Sequence, residues 1–282
     1  MQQTDFVAKS DFKIIQDKKT FCYGIDAILL GDFVVKNSFY IQKIIENLKK
    51  NDFSNLEKEI KNRAENKISL FDFGCGNAII PLLICAILKS SLKEKFPLLE
   101  SHFKITGIEI QQKIFQMAQK SIELNEIENL IQLKNCDILE IEKFFEKNSA
   151  EVVFSNPPYF KVGSGRISSN EEKMIARQEI KASLKDFVQK ADFLLKNEGE
   201  FFLIHRIERL PEIIELLRQN NFGKTKIQKV RPFDNEKENL ILVKSIKMQN
   251  NELKFFDKEM NVLTIYKEKG IYSSEVEKIY QI

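Results

Sequence analysis

From residue 68 to residue 246 the chain alternates short apolar runs with longer segments whose apolar residues recur at helical spacing, and this alternation restricts its fold more than any other feature. The runs at 68–73, 104–109, 130–134, 152–155 and 200–205 read as strands. The segments at 78–92, 112–124, 141–145, 184–195 and 209–220 read as helices between them. Such alternation predicts an α/β domain with a mostly parallel sheet covered by helices on both faces. The runs at 225–230 and 240–246 have no helix between them, so they pair antiparallel and close one edge of a seven-stranded sheet. Before the sheet, 41–48 and 56–64 carry helical spacing in a heavily charged context, which reads as a helical extension within 34–67. Residues 11–30 precede it and contain the tight segment Tyr23-Gly24-Ile25-Asp26.

Composition narrows the setting. The chain has 282 residues, enough for one large α/β domain with appendages. Residues 1–18 mix polar and charged side chains and do not read as a signal peptide, and no stretch approaches the roughly 20 apolar residues of a membrane span. The four cysteines, Cys22, Cys75, Cys85 and Cys136, form no C-x-x-C pair, and there are only two histidines, so no metal site is expected. A reducing cytoplasm is the simplest location. A net charge of +3 is too weak to argue for a nucleic-acid partner by itself.

Chemistry concentrates at the ends of the predicted strands. Phe71-Asp72-Phe73-Gly74-Cys75-Gly76-Asn77 ends the first strand and opens a helix. Glycines there let the backbone approach a ligand, and the helix start offers free N–H groups. A dinucleotide fingerprint would need a third glycine where Ile79 stands. The pattern is instead Asp-x-Gly-x-Gly, which resembles the cofactor turn of S-adenosylmethionine (SAM)-dependent methyltransferases; by itself a glycine turn can also be structural. With SAM as cofactor, Asp72 would repel a pyrophosphate but can order the methionine ammonium, with Gly74, Gly76 and Asn77 forming the cradle. Glu109 ends the second strand, where a carboxylate can accept both ribose hydroxyl protons. It lies roughly 35 residues after the turn, a longer gap than in dinucleotide folds, which implies a long helix and loop between them. Asp137 is placed either to bond the cofactor's adenine amino group or to cap the next helical segment, and Ile110 and Ile138 can flank the ring.

The strongest signal is Asn156-Pro157-Pro158-Tyr159 after the fourth strand. Two prolines fix φ and hold a stiff turn without N–H donors. The Asn156 side-chain oxygen and the Pro157 carbonyl can then accept both hydrogens of a planar NH₂ group. That aims the nitrogen lone pair at an electrophilic methyl and favours the positive charge developing on nitrogen, with no strong base. Asn156 sits where cofactor and substrate meet and counts toward both sites. Tyr159 can stack on a planar substrate, as on a base extruded from its stack.

At these residues the chain resembles the N6-adenine/N5-glutamine branch of the Rossmann-like class I SAM methyltransferases. It is most similar to the tRNA1(Val) adenine-N6 methyltransferase family, which modifies the adenine 3′ of the anticodon. Similarity extends to Tyr23-Gly24-Ile25-Asp26-Ala27-Ile28-Leu29-Leu30, which in that family helps close the SAM pocket and brings Asp26 to the cofactor side. It continues through Gly76–Leu83, Glu109-Ile110-Gln111, Ala176-Arg177-Gln178-Glu179, His205-Arg206-Ile207-Glu208-Arg209-Leu210 and Tyr272-Ser273-Ser274-Glu275-Val276. The chain departs from the family in longer connections at 35–67 and 88–103, in Ala78 where many relatives carry glycine, and in Gln178 where histidine is expected. The resemblance implies residues 1–66 as an N-terminal segment with a pocket-closing motif and helical insertion, and 67–282 as the catalytic domain with a C-terminal extension. It also implies SAM as cofactor and the anticodon stem-loop of tRNA as partner.

Two basic segments fit such a partner. Residues 160–177 carry Lys161, Arg166, Lys173 and Arg177 around Gly163 and Gly165, a loop of the kind that forms a lid or contacts RNA. Residues 218–231 carry Arg218, Lys224, Lys226, Lys229 and Arg231 with no acidic residue, near Phe222 and Phe233, and can track a phosphate backbone or form a solvated edge. His205 reads as structural or positioning, not as a base. A protein glutamine-N5 methyltransferase shares the Asn-Pro-Pro-Tyr chemistry, because a side-chain amide is also a planar NH₂. A non-catalytic RNA-binding protein on this scaffold is the other alternative.

Overall fold

The computed structural model describes residues 2–17, 22–50, 67–159, 182–248 and 262–281. Eight strands form the main sheet: β3 (Ile68–Phe73), β4 (Phe103–Glu109), β5 (Ile131–Asn135), β6 (Ala150–Ser155), β7 (Leu195–Arg206), β8 (Phe222–Arg231), β9 (Leu240–Lys247) and β10 (Val262–Thr264). Their order is β10-β8-β9-β7-β6-β3-β4-β5. All residues of β3 and β6 are buried, as apolar strands covered on both faces require. From β3 the chain steps outward to β4 and β5, then returns to place β6 on the other side of β3. That reversal opens a crevice at the carboxyl ends of β3 and β6, where open α/β sheets bind ligands.

Helices cover both faces. One core contains residues of α1 (Ile25–Asn37), α2 (Phe39–Lys50), α3 (Ile79–Leu92), α4 (Gln112–Glu123) and α7 (Ser274–Tyr280). The other contains residues of α5 (Leu184–Leu194) and α6 (Leu210–Gln219). A right-handed crossover places helices on opposite faces when the chain reverses direction across the sheet. α1 and α3 approach closely because Gly31 has no side chain: a Cβ there would stand 2.6 Å from Leu83 Cδ2. The elbow between α1 and α2 is fixed by the buried Glu200, which accepts from Ser38 Oγ at 2.6 Å and pairs with Lys244.

The structure departs from the sequence reading in several places. The sheet has eight strands, not seven: β9 is antiparallel inside the sheet, between β7 and β8, and three-residue β10 forms the edge by parallel pairing with β8. Three residues are too few for any periodicity. Residues 2–17 hold a hairpin of β1 (Gln2–Phe6) and β2 (Lys13–Asp17), which the mixed polar composition did not announce. It docks on α4, with Ile15 N–H donating to Ser121 Oγ at 2.9 Å and Asn125 bonding Lys13 at both its N–H and its carbonyl. The long gap between the glycine turn and Glu109 is α3 followed by a 3-10 helix, Lys93–Ser101. The helical expectation at 56–64 lies outside the described residues. Two short strands, β11 (Tyr266–Glu268) and β12 (Ile271–Tyr272), lead into α7. No described helix is long and apolar enough to cross a membrane.

Candidate active site

The glycine turn leaves β3 at the crevice. Gly74 (φ +71°) and Gly76 (φ +58°) occupy the left-handed region, and a Cβ on Gly74 would meet no atom within 4 Å, so the backbone faces open space. Ala78, also left-handed at φ 68°, is the N-cap of α3, a backbone conformation that favours glycine. Glu109 Oε2 accepts from Gly76 N–H at 3.1 Å, and Oε1 accepts from Gln111 N–H at 2.7 Å. The Glu109 carboxylate therefore ties the turn to the end of β4 while keeping lone pairs free. Burial raises its pKa, and these backbone donors oppose the rise.

Asp72 carries the clearest demand for a ligand. It is fully buried, and neither carboxylate oxygen has a hydrogen-bond partner. Burial first, and the neighbouring Glu109 charge second, push its pKa well above the usual carboxylate range. An unpaired buried carboxylate is costly, so a cationic partner such as the SAM ammonium fits the site. Asn77 is also fully buried: its Nδ2 donates to Ile15 O at 3.2 Å, while its Oδ1 has no partner. The N-terminal hairpin thus reaches the glycine turn. Nothing in the sequence marked that contact.

The adenine end is mixed. Asp137 Oδ1 accepts from Leu139 N–H at 2.9 Å and caps the 3-10 turn Ile138–Lys143, so the capping role is present and one oxygen remains for other use. Ile110 is 46% exposed, whereas Ile138 is 7% exposed and belongs to the core. Asn135 Nδ2 donates to the carbonyls of Glu109 and Ile110, fixing the backbone that carries both.

The Asn156-Pro157-Pro158-Tyr159 turn follows β6 at the adjacent strand end. Ser155 Oγ donates to Phe73 O at 2.8 Å and locks the two strand ends together. The Tyr159 hydroxyl donates to Asp26 Oδ2 at 2.7 Å. Its ring lies 5.1 Å from the His205 ring, and the Arg206 guanidinium stands 5.2 Å from its centroid. Burial, then the Asp26 charge, raise the Tyr159 pKa, so the phenol stays protonated and remains a donor. His205 Nδ1 accepts from Arg206 N–H at 2.8 Å, which leaves the ring proton on Nε2. Burial and the Arg209 charge pull its pKa down to about 4, so it is neutral at neutral pH.

The structure brings Asp72, Gly74, Gly76, Asn77, Glu109, Asn135 and Asn156–Tyr159 to one edge of the sheet. Asp26 reaches that edge through Tyr159. Sequence reasoning missed the partnership of Asp26, His205 and Arg206 with Tyr159; their positions in the resembling segments were the only signal. The expected lysine stripe is not brought together. β8 runs parallel to β7, so Lys229 is level with His205 (both pair with Ile241), while Lys224 lies toward the opposite edge. Lys226 donates to Asn37 Oδ1 at 3.0 Å on the α1 face, and Lys229, three residues on, falls on the other face with Ile227. Phe222 is fully buried, and Phe233 packs on Tyr266. Lys161, Arg166 and Arg177 lie outside the described residues.

Fold and site together define a class I, SAM-dependent type of methyltransferase domain. The chain belongs to the family of RMKL-like methyltransferase domains (UPF0020), whose sequence model matches residues 38–202. A tRNA1(Val) (adenine(37)-N6)-methyltransferase of Histophilus somni is 28% identical over 136 residues, 48% of this chain and 52% of that protein. A release factor glutamine methyltransferase of Fusobacterium nucleatum is 25% identical over 191 residues, 65% of this chain and 49% of that protein. The chain thus spans about half the length of these curated relatives. A crystal structure of a predicted O-methyltransferase from Agrobacterium tumefaciens superimposes with a TM-score of 0.55 at 19% identity, covering 76% of this chain and 88% of that one, a likeness of fold.

Proposed function

We propose that this protein transfers a methyl group from SAM to N6 of an adenine in tRNA, with the adenine 3′ of the anticodon of valine tRNA as preferred target. The observation that carries the reading is the Asn156-Pro157-Pro158-Tyr159 turn locked by Ser155 to the end of β3, the strand that carries the buried, unpartnered Asp72. When bound, SAM supplies an electrophilic methyl. Asp72 would hold its ammonium, Glu109 its ribose hydroxyls, and Asp137, Ile110 and Ile138 its adenine. Asn156 Oδ1 and the Pro157 carbonyl accept the two hydrogens of the target amino group. This orients the lone pair and stabilises positive charge on nitrogen as it forms. No base stronger than these oxygens is required, and His205, neutral and bonded through Nδ1, is not one.

The choice of tRNA adenine draws on the Histophilus relative's name and on the aromatic face of Tyr159, which suits a purine better than an aliphatic amide. A single-stranded anticodon loop also makes extrusion cheaper than a duplex does. The Fusobacterium relative favours a second reading, glutamine-N5 methylation of a protein. Incubation with methyl-labelled SAM and either unmodified tRNA or purified release factor separates the two. Label in N6-methyladenosine after digestion to nucleosides supports the first reading. Label in protein alone, or in cytidine or guanosine, sinks it.

A further inference from the structure

Arg206 ends β7 one residue beyond His205, and the two sit differently around Tyr159. His205 is 1% exposed and its ring meets Tyr159 at 5.1 Å, tilted by 57°. Arg206 is exposed, and its guanidinium carbon lies 5.2 Å from the Tyr159 centroid. The ring therefore has both a buried imidazole and an exposed guanidinium against it. The Asp26 hydrogen bond holds the hydroxyl end of the same ring.

A guanidinium is planar, delocalised and weakly hydrated, and it stacks on aromatic faces much as a heteroaromatic base does. It is also a bidentate partner for phosphate. Among the described residues, the Arg206 guanidinium makes no ion pair with a carboxylate. Arg209 differs: it is fixed to Glu212 through both Nε and Nη2 at 2.6 Å. An exposed guanidinium resting on a ring face, with no ion pair among the described residues, can leave that face at little cost.

We propose that Arg206 is a substrate-recognition residue: it rests against the ring of Tyr159, yields that face to the planar base, and then pairs with a phosphate of the same RNA chain. The inference rests on the RNA reading above. It assigns Arg206 two successive partners, one aromatic and one anionic, and predicts that its charge and its planarity matter separately.

The test uses the full chain, a synthetic anticodon stem-loop RNA with adenine 3′ of the anticodon, and the variants Arg206→Ala and Arg206→Lys. RNA affinity is measured by fluorescence anisotropy across salt concentrations, KM and kcat by methyl transfer, and SAM affinity by calorimetry. Arg206→Ala is expected to raise the RNA Kd and KM by about tenfold and to reduce the salt slope by about one, with kcat, SAM affinity and melting temperature near wild type. Arg206→Lys keeps the charge and should retain the salt slope while KM rises by a smaller factor. Wild-type or tighter RNA binding by Arg206→Ala, beside a wild-type protein that methylates the RNA, overturns the role of Arg206 and leaves the RNA reading standing. A wild-type protein that neither binds nor methylates the RNA overturns both.

Discussion

The hydroxyl of Tyr159 donates a 2.7 Å hydrogen bond to Asp26 Oδ2, joining the turn after β6 to the first turn of α1 across 133 positions of sequence. The motif tyrosine is thus fixed by a carboxylate from the N-terminal segment. Asp26, expected on the cofactor side, accepts from the Tyr159 hydroxyl, and we propose that it positions that ring. Asp26→Ala removes a charged acceptor, an interaction worth about 1.5–3 kcal/mol, and should lower turnover about tenfold with little change in SAM affinity. Tyr159→Phe should reproduce the loss, and Asp26→Asn, which keeps an acceptor oxygen, should restore part of it. Single-turnover kinetics of the three variants check this; wild-type turnover in Asp26→Ala would remove Asp26 from the role.

Asn156 offers an acceptor that matters most as charge develops on nitrogen. Asn156→Ala should cut turnover by about a hundredfold or more while the SAM dissociation constant stays within about threefold of wild type. Glu109→Ala should show the reverse order and weaken SAM first. It should also loosen the glycine turn, because Gly76 N–H loses its partner. Calorimetry with SAM and rate measurement at saturating SAM separate the two variants. An unchanged SAM dissociation constant in Glu109→Ala would refute the ribose assignment.

Asp72 predicts opposite effects on stability and on binding. Its pKa is raised in the folded, ligand-free protein by burial and by Glu109, so the fold binds its proton more tightly than the unfolded chain does. Stability is then lost as pH rises from the ordinary carboxylate range toward the raised folded value. Asp72→Asn removes that loss and should raise the melting temperature of the ligand-free protein at neutral pH by about 2–4 °C for each kcal/mol recovered. The same change should weaken SAM binding, since the ammonium loses its counter-charge. Ionisation of Asp72 also means that SAM should bind more tightly as pH rises through this window, with protons released on binding. Thermal melts and calorimetry in buffers of different ionisation enthalpy read both effects. A destabilised Asp72→Asn with normal SAM affinity would contradict the assignment.

The lysines of β8 should behave individually, not as a patch. Lys226→Ala breaks a contact to Asn37 and should cost stability of up to about 1 kcal/mol without changing RNA affinity. Lys224→Ala, toward the strand end away from the site, should change neither. Lys229→Ala is the variant able to weaken RNA binding, with at most about one unit of salt slope. Chemical denaturation and RNA titration at two salt concentrations test the three. An equal loss of RNA affinity in all of them would restore the continuous basic stripe.

Local pattern was enough to read most of the sheet and the placement of the turns at its carboxyl edge. A strand that ends in Asp-x-Gly-x-Gly, another that ends in Asn-Pro-Pro-Tyr and a helix after the first are written in nearest-neighbour chemistry: glycine conformations, proline constraints and apolar period. Asp72, Glu109 and Asn156 therefore fell at strand ends in the structure as they did in the sequence. The docking of the N-terminal hairpin on α4, the insertion of β9 between β7 and β8, and the edge strand β10 were decided only by tertiary pairing, which depends on segments far apart in the chain. So were the contacts of Asn77 with Ile15, of Tyr159 with Asp26 and Arg206, and of Lys226 with Asn37. Which residues stand at the strand ends was legible locally, because conformational preference acts over a few residues. The tertiary structure decided which of them work together, because burial and long-range hydrogen bonding select one packing from the many that local preference allows.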